Sequence, residues 1–379
     1  MKKIVLIPDS FKGTMSSAEI CSIMEEQILR HSPAAEIVSL PVADGGEGSV
    51  DAFLKAVGGE KVDVASKGPF MEDITSFYGL LKDGTAVIEM AACAGLPLVG
   101  NNLLVERTTT YGVGLLILDA LDRGCRNIIM ALGGSATNDF GMGAAAAVGY
   151  RFLDQEKNSF IPTGGTLGKV VSIDTSGVDP RLKETRVISM CDIDNPLYGE
   201  SGAAHIFGPQ KGATPEMVLT LDENMKKAAH TVEEELGKMV SQLPGSGAAG
   251  GMGGGMVAFF DSQLQMGIEA VLNTVHFDDI LPETSLVFTG EGKLDTQSLR
   301  GKVVLGVARR AQKLKVPVIA IVGDIGDNIE QVYEEGLSGV FSINRVAVEF
   351  SKAKLRSKKD LALTMDNVIR FMKKIGHLN

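Results

Sequence analysis

None of the four cysteines, Cys21, Cys93, Cys125 and Cys191, has a partner at CxxC spacing or a histidine at the spacing of a zinc site. A structural zinc centre and a dithiol redox motif are excluded, and reduced thiols in a cytoplasmic protein are expected. No apolar run reaches the ~18 residues of a membrane helix, and Met1-Lys2-Lys3 leads straight into a short strand-like segment. Neither export nor membrane insertion is expected. Positive charge is scarce: 37 Lys and Arg stand against 47 Asp and Glu, a net −10. That balance argues against nucleic acid as a partner and leaves room for a local basic pocket around an anion. Nucleotide fingerprints are missing as well. The Gly-Lys pairs ending at Lys169, Lys238, Lys293 and Lys302 are never followed by Ser or Thr, so there is no Walker A loop. Ser10-Phe11-Lys12-Gly13-Thr14 offers one glycine where a dinucleotide fingerprint wants three, which disfavours a nucleotide-dependent oxidoreductase.

What the chain has is glycine, 45 of 379 residues, without period or proline excess, so the surplus belongs to turns and close approaches. The length suits two or three domains, and 44% hydrophobic content suffices for sizeable cores. Much of the glycine falls in five polar loops: Asp44-Gly45-Gly46-Glu47-Gly48, Gly133-Gly134-Ser135-Ala136-Thr137-Asn138-Asp139, Asp192-Ile193-Asp194-Asn195-Pro196, Gly245 to Gly251, and Gly290-Glu291-Gly292-Lys293-Leu294-Asp295. Bare N–H groups in such loops approach anions closely, and the carboxylates suit a hard cation such as Mg²⁺. The pattern predicts an enzyme that handles phosphate and a metal.

The loops punctuate apolar runs. Ile4-Val5-Leu6-Ile7 precedes a helix with Ser16 and Glu19 at capping-box spacing and an apolar face of Ile20, Met24 and Ile28. Strand, polar glycine loop and helix recur around Glu36, Ile128 and Leu286. Thr214-Pro215 opens a long helix towards Leu236. Continuous apolar strands alternating with helices predict an α/β fold with largely parallel sheets covered on both faces. Strands near Leu286, Val318 and Gly339 look like neighbours of the first one. The expected organisation is therefore a discontinuous Rossmann-like or flavodoxin-like domain of residues 1–75 and 285–379, with an α/β domain of residues 76–284 inserted.

Ser10 and Lys12 lie between a strand end and a helix start, where a helix N-terminus attracts an anion, although a solvated turn would look the same. Three glycines around Asp44 and Glu47 exceed what a simple turn needs. The Gly133–Asp139 loop supplies hydroxyls and an amide through Ser135, Thr137 and Asn138 at a helix entrance, more than N-capping requires. Asp192 and Asp194 alternate by two after an apolar run, so both are expected on one side of a strand end; an Asx-turn before Pro196 is the plainer account. Glu291, Lys293 and Asp295 mix both charges in one loop, which a surface salt-bridge cluster would also do.

Taken together, these strings resemble the glycerate kinase family of the bacterial type 1 sort, the glycerate 2-kinases. The likeness runs through Pro8-Asp9-Ser10-Phe11-Lys12-Gly13, Asp44 to Gly48, Gly133 to Asp139, Asp194-Asn195-Pro196-Leu197, Phe207-Gly208-Pro209-Gln210-Lys211-Gly212-Ala213, Thr289 to Gly292 and Arg300-Gly301-Lys302. Phe140 departs from it, standing where a small residue, commonly glycine, is expected. The resemblance implies transfer of the ATP γ-phosphoryl group to D-glycerate with Mg²⁺, and two α/β domains with the site in the cleft between them. Residue chemistry then suggests roles. Asp192 or Asp194 takes the substrate proton or holds metal, and Lys12, Lys211 and Lys293 contact phosphate or carboxylate. Ser10, Ser135, Thr137, Asn138 and the glycines Gly133, Gly134, Gly290 and Gly292 line the substrate and phosphates; Asp44, Glu47, Glu291 and Asp295 are metal candidates. A non-catalytic sensor of small acids is the alternative. The sequence leaves open the oligomeric state, a homo-oligomer included, and the hydroxyl that is phosphorylated.

Overall fold

The computed structural model describes residues 2–42, 45–46, 48–296, 298 and 302–376. The expectations for Asp44, Glu47, Arg300 and Gly301 fall outside these residues. The chain is an α/β protein with largely parallel sheets, and it divides into two compact units, Met1–Asp44 with Lys55–Val57 and Met266–Asn379, and Gly45–Leu54 with Gly58–Gln265.

The unit made of the chain ends holds a five-stranded sheet of β1 (Lys3–Pro8), β2 (Glu36–Ser39), β12 (Thr284–Gly290), β14 (Val318–Val322) and β16 (Leu337–Ser342). Its order is β16-β14-β12-β1-β2 and every pairing is parallel, with Ile4 opposite Leu286. Within the unit the strands thus run second, first, third, fourth, fifth, the flavodoxin-like doubly wound order whose direction of progression switches between β1 and β12. The apolar runs are buried almost throughout, as a parallel sheet covered on both faces demands. Ile20, Met24 and Ile28 of helix Ser17–His31 share a core with Leu361, Met365 and Ile369 of helix Phe350–Lys374 and with Ile4, Leu6 and Phe288. Helix Ser17–His31 starts at the expected capping box, in which Ser16 and Glu19 bond each other's backbone N–H. Two short strands, β13 (Lys293–Leu294) and β15 (Asp324–Ile325), pair parallel beyond the sheet's end.

In the other unit, β3 (Gly59–Lys67), β4 (Asp73–Leu81), β5 (Thr85–Glu89), β6 (Asn127–Ala131), β10 (Arg186–Met190) and β11 (Gln263–Gln265) form a six-stranded sheet in the order β11-β10-β6-β5-β4-β3. β5, β6, β10 and β11 are parallel, and β3 and β4 add an antiparallel edge. Residues 59–67, expected with the chain ends, thus pair inside this sheet. A small antiparallel sheet of β7 (Arg151–Leu153), β8 (Ser159–Phe160) and β9 (Ser172–Asp174) completes the strands. Helix Pro215–Leu236 begins at Thr214, whose hydroxyl accepts from Met217 N, and ends at Gly237 in the left-handed region.

Candidate functional site

Loops after parallel strands gather at the carboxyl edges of both sheets, where open α/β sheets bind ligands. In the six-stranded unit, four of the glycine loops meet. Gly133 N donates to Gly45 O at 2.8 Å, and a Cβ on Gly133 would lie 2.5 Å from Gly46 Cα, so only glycine lets these two loops touch. The 245–251 tract is a packing seam and not a linker. Gly247 N donates to Asn195 O, and a Cβ on Gly250 would fall 1.9 Å from Thr137 O. The tract thereby places the loop after β10 beside the loop after β6.

The 133–139 loop is dense with buried polar groups. Lys211, 2% exposed, donates from Nζ to Ser135 Oγ and Thr137 O, both at 2.7 Å. Burial depresses its pKa to about 7, with the Asp139 charge opposing the shift. Asp139 is wholly buried and accepts from Thr110 N at 2.6 Å, Thr110 Oγ1 at 2.8 Å and the amides of Gly141 and Gly143. It thus fastens the starts of helices Tyr111–Asp122 and Met142–Ala147 to one carboxylate, whose pKa burial pushes upward. Among the described residues, Thr137 Oγ1, both amide atoms of Asn138 and Ser246 Oγ are buried without a hydrogen-bond partner. Such groups cost free energy unless water or a ligand satisfies them. Gly134 adopts φ 79° and accepts from Leu96 N.

Asp192 and Asp194 correct one expectation. β10 ends at Met190, so both aspartates lie in irregular chain and strand alternation does not orient them; Asp192 is half-buried and Asp194 exposed. Their charges add to the burial that pushes the Cys191 thiol up to about 11.

In the other unit, the loops after β1 and β12 run side by side at the switch point. Asp9 N donates to Gly290 O at 2.8 Å, and a Cβ on Gly292 would lie 3.6 Å from Lys12 N, in contact with the backbone of the loop after β1. Ser10 is half-buried and its N–H donates to Asp9 Oδ1; Lys12 is exposed. Glu291 is 5% exposed, and its Oε1 has no hydrogen-bond partner among the described residues. Burial raises its pKa to about 7, against Ser298 and Lys302, while the Asp295 charge adds to the rise. Lys293 is exposed and 3.9 Å from Asp295.

Two contributors were missed by sequence reasoning. Glu89, at the end of β5 and 3% exposed, accepts from Val50 N at 2.6 Å and from Gly48 N, closing the glycine loop onto the start of helix Ser49–Val57. The lone carboxylate ending the run Ala86-Val87-Ile88 was the available signal. Thr110 gave none, because only folding brings it to Asp139. Among the described residues, no group of three or more His, Cys, Asp or Glu side chains is gathered as a metal site, and no helix is long and apolar enough to cross a membrane.

Comparison with known proteins agrees with this architecture. The Glycerate kinase family pattern matches residues 4–373. The chain is 43% identical to a glycerate kinase of Bacillus cereus over 97% of both chains. It is 44% identical to a glycerate 2-kinase of Escherichia coli K12 over 90% of both chains. A crystal structure from Salmonella typhimurium LT2, provisionally assigned as glycerate kinase 2, superposes with a TM-score of 0.88 at 40% identity, covering 98% of each chain.

Proposed function

Because the chain belongs to the glycerate kinase family, we propose that it transfers the γ-phosphoryl group of ATP to D-glycerate and releases 2-phosphoglycerate. It is a phosphotransferase with an alcohol group as acceptor, which displaces the sensor and oxidoreductase alternatives. The observation that carries the ATP reading is the glycine loop after β12 set against the loop after β1 at the switch point, the place where open α/β sheets bind ligands. Phosphoryl transfer asks little covalent chemistry of a protein, so catalysis is positioning and charge neutralisation. Lys12 and Lys293 supply positive charge for phosphate oxygens, and Ser10 a hydroxyl. Gly290 ends β12 against Ile321 and sets where the Glu291 loop leaves the sheet.

The residues fit Mg²⁺: among the described residues the buried Glu291 Oε1 lacks a partner, and Asp295 adds a second negative charge nearby. Glu291 and Asp295 would hold the ion, with Asp44 and Glu47 as further candidates, and the ion would neutralise charge on the phosphate oxygens. In the other unit, Asp192 or Asp194 accepts the proton of the attacking hydroxyl. The unsatisfied Thr137, Asn138 and Ser246 groups suit a small molecule that is polar on every side, as glycerate is. Lys211 orders Ser135 and the Thr137 carbonyl from within.

The test is ADP release from ATP with D-glycerate and Mg²⁺, with the product identified by ³¹P NMR. We expect the 2-phosphate, and a kcat lowered by roughly 10²–10⁴ in Asp192→Asn or Asp194→Asn. A folded protein that transfers nothing overturns the activity, the 3-phosphate alone overturns the regiochemistry, and two unimpaired variants overturn the proton acceptor.

A further inference from the structure

A cavity of about 220 Å³ opens at the carboxyl edge of the five-stranded sheet. One side is built by the loops that leave four adjacent strands: Phe11 and Lys12 after β1, Gly292 after β12, Gly323 and Asp324 after β14, and Ile343 and Asn344 after β16. The opposite side is one face of helix Phe350–Lys374, where Phe350, Ala353, Lys354 and Ser357 recur at helical spacing. The lining is divided chemically. Phe11, Ile343, Val348, Phe350 and Ala353 make an apolar slot, while Lys12, Asp324 and Asn344 bring polar groups to it.

Resting on the kinase reading above, we propose that this cavity takes the purine and ribose of the nucleotide, with the phosphates directed to Lys12 and Gly292. A three-carbon acid carrying two hydroxyls and a carboxylate has no apolar face to set against Phe11 and Ile343. A purine has two such faces and a polar edge. The volume of about 220 Å³ is too small for a whole nucleotide, so the charged end lies outside it, towards Lys12 and Gly292. The Asn344 amide both donates and accepts, the pair of functions that reads an adenine edge. The Asp324 carboxylate suits a ribose hydroxyl, the service an acidic residue gives in other doubly wound nucleotide sites. The place is also the expected one, since such sheets bind ligands beyond their carboxyl edge beside the switch point.

Calorimetry on the full chain tests the assignment, with MgADP and D-glycerate titrated separately so that no transfer is needed. Wild type binds both. Ala353→Trp, which projects an indole into the slot, weakens MgADP at least about tenfold and leaves D-glycerate unchanged. Retained MgADP with lost D-glycerate would give the cavity to the acid, and retention of both would leave it no substrate; either overturns the proposal. Should Ala353→Trp fail to fold, Asn344→Ala replaces it: on this surface residue the preference for MgADP over MgCDP falls about tenfold, and an unchanged preference overturns the proposal. A wild type that binds MgADP but phosphorylates no glycerate sinks the kinase reading and leaves the cavity its nucleotide. A wild type that binds no MgADP sinks the cavity assignment.

Discussion

Lys211 is exceptional at the residue scale because its ammonium group is buried and, among the described residues, gives its hydrogens to a hydroxyl and a carbonyl and to no carboxylate. Its pKa of about 7 lies below the 10.5 of a free lysine, so between those values the folded protein holds fewer protons than the unfolded chain. Stability from this group therefore rises with pH across that window and is weakest below 7. The buried thiols act in the opposite sense at higher pH, since Cys21 is pushed up to about 12 and Cys191 to about 11. The clean range is roughly pH 7 to 8.5, below the ordinary thiol range, and the clean quantity is the difference from Lys211→Met, which keeps the bulk and removes the titration. Urea unfolding should show wild type gaining ~1–2 kcal/mol on the variant across that range. Parallel pH profiles would mean that the lysine does not titrate there. Phe140 makes a second point at this scale. It sits at φ 58° ahead of Gly141 at φ 67°, which explains why a glycine is expected there, yet its ring is fully buried against Phe259. The left-handed backbone costs ~1–2 kcal/mol, while truncating a buried Phe costs ~3–5 kcal/mol, so packing wins and the aromatic is tolerated.

At the scale of elements, what could be read from the sequence is what is local in it. The Ser16–Glu19 box and the Thr214 cap lie within three residues of the groups they satisfy, and both helices start where their residues say. Glu89 and Lys211 reach partners 39 and 76 positions away, and no periodicity announces such contacts. Strand alternation failed at Asp192 for a related reason: the strand stops at Met190, and the rule stops with it. Helix Ser49–Val57 has no side-chain cap of its own, its N-cap Gly48 being at φ 89°. The carboxylate of Glu89 supplies the cap from the end of β5. Glu89→Leu should therefore leave the Gly48 and Val50 amides without an acceptor and cost ~1–3 kcal/mol, whereas Glu89→Gln keeps an acceptor and costs less. Denaturant midpoints of the two variants decide it. If Leu is tolerated as well as Gln, the amides are satisfied in another way and Glu89 is not the cap.

At the scale of the molecule, β1 must find β12 across most of the chain: Thr289 Oγ1 donates to Ile7 O from 282 residues away. By contrast β6 and β10 pair across about 60 residues. Closing the longer loop costs roughly 1.4 kcal/mol more by chain entropy alone. That penalty shrinks once the intervening residues have compacted. We propose that the two units are separate folding domains and that the six-stranded one, continuous in sequence but for Lys55–Val57, forms first. The regular strand-loop-helix grammar predicted both sheets, but the pairing of residues 59–67 with β4 was not legible, because an alternating edge strand fits either sheet equally well. Pulse-labelled hydrogen exchange during refolding checks the order. Amides of Asn127–Ala131 and Arg186–Met190 should gain protection before those of Lys3–Pro8, whose partner β12 awaits the return of the C-terminal third. Simultaneous protection of β1, β6 and β10 would mean that the units fold as one, and earlier protection of β1 would reverse the sequence of events.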